Sequence, residues 1–197
     1  MDVLTPQREH VEQAAGVIAR AFHEDALNVY LYPDGETRAR FAPPMFEAFV
    51  RYDQLFGQVD YLPGFTAVAT WIRPGVTETP ERLAEAGFGN LPDEAPLAVL
   101  DTVFGFIGKA VSRAAPEPHW HLRLLGVEPD SQGRGLGAVV MQRGIDRAAD
   151  TGHAVSLETF SERTVGFYRR NGFELIVEDV EPTTGLRFWA LRHVPSR

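Results

Sequence analysis

Cysteine is absent from this chain of 197 residues, which excludes disulfide bridges, thiolate metal sites and a cysteine nucleophile. Lysine is nearly absent: Lys109 is the single lysine among 19 basic residues, and the rest are arginines. Positive charge is in the minority, with a formal net charge of −8, so a basic stripe for nucleic acid is not expected. No uncharged apolar run approaches the roughly 20 residues that span a bilayer, and no membrane partner is expected. The start, Met1-Asp2-Val3-Leu4-Thr5-Pro6, lacks the basic region and apolar stretch of a secretory signal. Together these absences fit a cytoplasmic protein. The remainder is ordinary for a globular chain, with 44% apolar and 23% charged residues. Such a length suits one domain over residues 1–197, with its own core.

Local patterns divide that domain into elements. Thr5-Pro6 can open a helix as cap and first residue, and Val11, Ala15, Ile18 and Phe22 then share a face at helical spacing. Pro43-Pro44 sets the start of a second helix at Met45, running to about Leu55. Gln58–Leu62 and Phe65–Arg73 read as strands around Pro63-Gly64. A short helix follows Thr79-Pro80, and a longer apolar one runs from Leu97 to about Ser112. His119–Val127 is a strand, Leu136, Val140, Gly144 and Ala148 mark a helix face, and Ala154–Phe160 is a short strand. Ser161 can cap a helix that stops at Gly172, and Phe173–Glu181 with Leu186–His193 forms a hairpin. This order predicts a mixed α/β layer, with a parallel pair between His119–Val127 and Ala154–Phe160.

The most informative stretch is Gly126-Val127-Glu128-Pro129-Asp130-Ser131-Gln132-Gly133-Arg134-Gly135-Leu136-Gly137. An apolar strand runs into alternating glycines, and those run into an amphipathic helix. Glycine permits positive φ and close approach of a ligand. The first amides of a helix lack internal partners, so the junction suits a pyrophosphate. A Walker A loop would need Gly-Lys-Ser/Thr, which is missing, and Gly133-Arg134-Gly135-Leu136-Gly137 has the wrong spacing for a dinucleotide fingerprint.

Gln132-Gly133-Arg134-Gly135-Leu136-Gly137 does fit Gln/Arg-x-x-Gly-x-Gly/Ala, and here the chain resembles the GNAT superfamily of acetyl-CoA-dependent N-acetyltransferases. Phe167-Tyr168-Arg169-Arg170-Asn171-Gly172-Phe173 resembles that family's Phe-Tyr-x-x-x-Gly-Phe segment. The match covers roughly His119 to His193. Within the superfamily, Trp120, Gln132–Gly137, Leu157-Glu158-Thr159 and the Tyr168 segment look most like the puromycin N-acetyltransferase-like group. The resemblance implies a mainly antiparallel sheet with a central parallel strand pair and helices on both faces. Residues 1–118 would form the acceptor-side half and residues 119–197 the acetyl-CoA-binding half. It further implies acetyl-CoA as cosubstrate, no metal, and a small-molecule amine as acceptor. Many relatives are dimers, so a homodimer is compatible with it.

Site residues follow from the same resemblance. Gln132, Gly133, Arg134, Gly135, Leu136, Gly137 and Ala138 would hold the CoA pyrophosphate, while Leu125 and Val127 offer backbone groups to the pantetheine arm. Ser161 stands where many members carry a CoA-contacting asparagine, and Thr164 is the substitute contact. Tyr168 would sit beside the sulfur as general acid; a phenol of reference pKa about 10 stays protonated at neutral pH. A backbone amide near Val127 would polarise the acetyl carbonyl where the parallel strands part, and Gly126 is compatible with a bulge there.

For the base, Glu158 is the leading candidate, with His119 and His121 as alternatives. Glu158 could instead pair with Arg123 or Arg163, and the histidines could lie on a solvated face. On the acceptor side, Tyr30 and Tyr32, with Asn28, Asp34 and Glu36 nearby, would suit a cationic amine with an apolar body. A competing reading is a catalytically silent domain that holds acetyl-CoA as sensor or scaffold. Another keeps the enzyme but changes the acyl donor or uses a hydroxyl acceptor.

Overall fold

The computed structural model describes residues 3–4 and 10–195; the Thr5-Pro6 helix opening falls outside the described residues. Helix α1 (Val11–Ala21) buries Val11, Ala14, Ala15, Val17 and Ile18 along one face. Short α2 (Ala26–Leu31) is capped by Asp25, whose carboxylate accepts from the Leu27 N–H at 3.0 Å.

Helix α3 (Gly35–Phe56) departs from the sequence reading, because it begins ten residues before Met45 and continues through Pro43 and Pro44. Two i−4 hydrogen bonds are lost there, at a cost of about 3 kcal/mol or more per interior proline. The carbonyls deprived of donors belong to Ala39 and Arg40, both exposed, so water can serve them. Burial of Ala42, Met45, Phe46 and Val50 on the opposite side keeps the helix in place. Asp34 is its N-cap, accepting from the Thr37 N–H and hydroxyl at 2.7 Å each.

The remaining elements are β1 (Gly57–Tyr61), β2 (Ala67–Ile72), α4 (Pro80–Ala86), α5 (Leu97–Ala114), β3 (His119–Val127), α6 (Leu136–Asp150), β4 (Ala154–Thr159), α7 (Glu162–Arg170), β5 (Glu174–Val180) and β6 (Arg187–His193). The described strands form one sheet in the order β1-β2-β3-β4-β6-β5. Every neighbouring pair is antiparallel except β3 with β4. This is the mixed α/β, mainly antiparallel architecture with a central parallel pair.

Side-chain alternation sorts two cores onto the two faces. Helices α1, α3 and α5 cover one, with Ile18, Phe46, Ile107, Val68 and Phe188 inside it. Helices α6 and α7 cover the other, around Trp71, Trp120, Met141, Leu157 and Leu191. Arg147 of α6 donates to both carboxylate oxygens of buried Asp60 on β1, at 2.8 and 2.9 Å, tying that helix across the sheet.

Two features of β3 position the site. Its register against β2 slips between Thr70↔Leu124 and Trp71↔Leu122, so Arg123 is the extra residue of a bulge. The bulge therefore lies at Arg123 and not at Gly126. Gly126 is needed for another reason: a Cβ there would stand 2.8 Å from Ile18 Cδ1 of α1. Second, β3 pairs with β4 only over His119↔Ala154, Trp120↔Val155 and His121↔Ser156. Beyond them β4 stays with β6 as far as Thr159↔Trp189. The β4-facing backbone edge of Leu122–Val127 is left without a strand partner.

Gly144 on α6 meets the buried Trp71 ring so closely that a Cβ would fall 2.1 Å from Cζ2. Helix propensity alone favours alanine over glycine. Packing reverses the sign, and Gly144→Ala is expected to lower the unfolding free energy by about 1–3 kcal/mol. Urea denaturation checks this; a gain in stability would contradict the packing described.

Candidate active site

The parting of β3 and β4 opens a cavity of about 900 Å³. Its floor includes His119, His121, Leu122, Arg123, Leu124 and Leu125 from β3, and its roof includes the α1–α2 connection from Phe22 to Asp25. Glu158, Thr159 and Ser161 enter from the β4 end, Thr164 and Tyr168 from α7, and Gln132 from the glycine loop.

The glycine loop enters α6 with Gly133 and Gly135 at φ of 76° and 78°, values a side chain would strain. Gln132 N–H donates to Pro129 O, and the next amide with a backbone acceptor is Ala138, which donates to Gly135 O at 3.1 Å. Among the described residues, the amides from Gly133 to Gly137 therefore have no backbone acceptor. A Cβ built at Gly133 or Gly135 meets no atom within 4 Å, so the space beside them is clear. Consecutive free amides at the start of a 15-residue helix make an anion-binding surface. Gln132 Nε2 donates to Val127 O at 3.2 Å and locks the loop to the end of β3.

Proton chemistry is concentrated at the split. His121 pairs with Ser156, and Glu158 lies two residues further along the same face of β4. His121 Nε2 stands 3.3 Å from Glu158 Oε2, and Nδ1 lies 3.1 Å from Ser156 Oγ. Burial lowers the affinity of the His121 imidazole for its proton, yet the charge and hydrogen bond of Glu158 outweigh it, and the pKa is raised. His119 moves the other way, pushed down by burial and by His121. Tyr168, wedged between Phe167 and Phe173 at ring-centroid distances of 5.1 and 5.8 Å, has its phenol pKa pushed up by burial, then by Glu158 and Asp25. It is held protonated across the physiological range.

Arg123 does not pair with Glu158. The bulge aims it between Phe49 and Tyr52, with its guanidinium carbon 5.3 and 4.9 Å from the ring centres. It forms ion pairs with Glu78 and, at 3.5 Å, with the fully buried Asp53. Burial raises the Asp53 pKa, against the pull of Arg123.

The structure thus gathers Leu125, Gln132, Glu158, Thr164 and Tyr168 around one cavity. Val127, Gly133, Arg134, Gly135, Leu136, Gly137 and Ala138 lie on the adjoining strand end and helix start. Ser161 holds the N-cap position of α7, but its hydroxyl makes no cap bond. Thr159 Oγ1 accepts from the Ser161 N–H at 3.1 Å instead, and shares a 2.8 Å contact with Thr164 Oγ1. Tyr30 and Tyr32 are not in the cavity. Tyr32 is buried and stacks near Phe41, while Tyr30 points outward, its hydroxyl 3.4 Å from Thr183 O. The six-residue α2 carries Tyr30 and ends before Tyr32, its C-cap, and its inward face presents Leu27, Asn28 and Leu31 to the cavity. Asn28 donates to Phe22 O at 3.0 Å, and its Oδ1 is buried without a partner.

The His121–Glu158 contact was the chief feature missed in sequence. Both residues were candidates, but only the parallel register puts them side by side. Phe22 and Phe49 were equally unreadable as cavity residues, since on a helix they look like any other core position.

Residues 65–173, just over half of the chain, match the model of the Acetyltransferase (GNAT) family. A mycothiol acetyltransferase of Propionibacterium freudenreichii subsp. shermanii is 34% identical over 82 residues, 40% of this chain. The chain spans about a quarter (26%) of that curated relative's length. Among solved structures, one from Corynebacterium glutamicum described as histone acetyltransferase HPA2 and related acetyltransferase aligns with a TM-score of 0.70 at 22% identity, over 99% of this chain and 96% of that one. The Drosophila melanogaster polyamine N-acetyltransferase aligns with a TM-score of 0.65 at 19% identity, over 98% and 100%. Arylalkylamine N-acetyltransferase 2 of Aedes aegypti gives 0.69 at 12% identity, over 99% of both chains. At such identities the structural likenesses are ones of fold, and they agree with the mixed α/β architecture described above. The family-model match over residues 65–173 places the chain in the Acetyltransferase (GNAT) family.

Proposed function

We propose that the chain transfers an acetyl group from acetyl-CoA directly to a primary amine of a small molecule. The observation that carries this reading is the meeting, in one cavity, of a protonated buried phenol, a carboxylate–imidazole pair and an unpaired strand edge next to a row of free amides.

Each part has a role that its geometry supports. The amides of Gly133–Gly137 fit a pyrophosphate, with Gln132, Leu125, Val127, Arg134, Leu136, Ala138 and Thr164 around the rest of the cosubstrate. The free edge of β3 offers amide donors to the acetyl oxygen. The amine gives up a proton to Glu158, which shares it with His121. Its nitrogen then bonds to the carbonyl carbon as the C–S bond breaks, the departing sulfur takes the Tyr168 proton, and the second proton of the former ammonium leaves the amide nitrogen to restore the phenol. Placement within the puromycin N-acetyltransferase-like group is a finer proposal, resting on Trp120, Leu157-Glu158-Thr159 and the Tyr168 segment; puromycin belongs in the acceptor screen for that reason.

Tyr168→Phe is expected to lower kcat by about 10²–10⁴-fold while the Kd for acetyl-CoA stays within roughly threefold. Steady-state thiol release and calorimetry measure the two, and an undiminished kcat would remove Tyr168 from its role. Binding of acetyl-CoA with no thiol release for any acceptor would favour the silent sensor instead. A second test uses pH. The base must be deprotonated, so kcat/KM rises with pH through the apparent pKa of the His121–Glu158 pair. Glu158 holds the imidazole above its ordinary 6.5, so Glu158→Gln should slow the reaction and move this acid limb to lower pH. A limb that stays in place would take the pair out of the proton path.

A further inference from the structure

The cavity is larger than a proton-transfer centre needs, and much of its outer wall is phenyl. Phe22 follows α1, Phe49 lies on α3, Phe104 on α5 and Phe160 just past β4; all four line the cavity and none is fully buried. Partly exposed phenyl rings contributed by four separate segments give the cavity an apolar wall suited to an apolar ligand.

The acids around the same cavity are already engaged. Glu24 faces Arg38 at 3.0 Å and His23 at 3.3 Å. Asp25 caps α2, Glu78 pairs with Arg123, and Glu158 with His121. Among the described residues, Glu24, Glu78 and Glu158 thus each face a basic side chain, while Asp25 accepts backbone N–H groups and burial favours its neutral form, so an uncompensated charge against the aromatic wall would be disfavoured.

Helix α5 closes the wall with Gly108 in its middle. Glycine weakens a helix interior, and nothing packs closely enough to require one: a Cβ built at Gly108 meets no atom within 4 Å. The room it leaves belongs to the cavity.

Resting on the transferase reading above, we infer that the acceptor is a monoamine with a ring-bearing apolar body seated against Phe22, Phe49, Phe104 and Phe160. Gly108 sets how large that body can be. Linear diamines and polyamines are poorer acceptors by the same argument, because the aromatic wall offers their second cation no counter-charge.

The test compares 2-phenylethylamine, 2-(1-naphthyl)ethylamine and 1,5-diaminopentane by thiol release from acetyl-CoA, with calorimetry of each amine in parallel. The phenyl amine should exceed the diamine in kcat/KM by roughly tenfold or more. Gly108→Leu should lower the naphthyl-to-phenyl ratio of kcat/KM by about tenfold, with no fall in melting temperature, since leucine favours a helix over glycine. A diamine that matches the phenyl amine, or a Gly108→Leu effect equal on both ring sizes, would overturn the inference. If no amine is turned over but the aryl amines bind and Gly108→Leu weakens the naphthyl one selectively, the transferase reading fails and the pocket assignment stands. Absence of aryl-amine binding would overturn the assignment itself.

Discussion

Strands β3 and β4 share three residue pairs and then separate, and this short parallel contact governs what the rest of the molecule can do. While paired, they bring His121 against Ser156 and so, one step further along the face, against Glu158. Once apart, they leave backbone groups of β3 unpaired inside the protein. A buried edge of this kind is unfavourable unless something else hydrogen-bonds to it, and the cavity lies along it. The bulge at Arg123 contributes in the same place, because it changes which side chains of β3 face α1 and which face α6.

Electrostatics at the split set the protonation of two groups through their environment. Burial acts on Tyr168 and His121 alike, but it favours the protonated phenol and the deprotonated imidazole. Glu158 adds to the first effect and reverses the second, so both groups are held with their protons more tightly than in water. One carboxylate thus raises the proton affinity of two groups that line the same cavity. Glu24, Glu78 and Glu158 each face a basic side chain, and aromatic rings occupy much of the remaining wall.

Much of this was legible in the sequence, and the reasons differ by element. Strand β3 was readable because its nine residues end in a glycine loop that has few alternative uses. The α6 and α7 segments followed from helical spacing and from Gly172. Helix α3 was cut short because Pro43 and Pro44 are strong local signals, and only burial of the opposite face overrides them. Gly126 suggests irregular backbone by residue type, whereas there it answers the close approach of Ile18. Tyr30 and Tyr32 fit an acceptor pocket by residue type. Their orientation depends on a helix too short for its facing to be read from periodicity, and one ring went to the core and the other outward. The His121–Glu158 contact depends on register between strands far apart in sequence, and no local pattern encodes it.

The central claim is that the amides from Gly133 to Gly137 grip the pyrophosphate of coenzyme A and deliver its sulfur to the split, beside Tyr168. Amide chemical shifts followed by NMR during titration with coenzyme A test it most directly. The account predicts saturable shifts at Gly133–Gly137 and at the free edge of β3, together with a perturbed Tyr168 ring. Shifts confined to other parts of the surface, or none at millimolar coenzyme A, would contradict it.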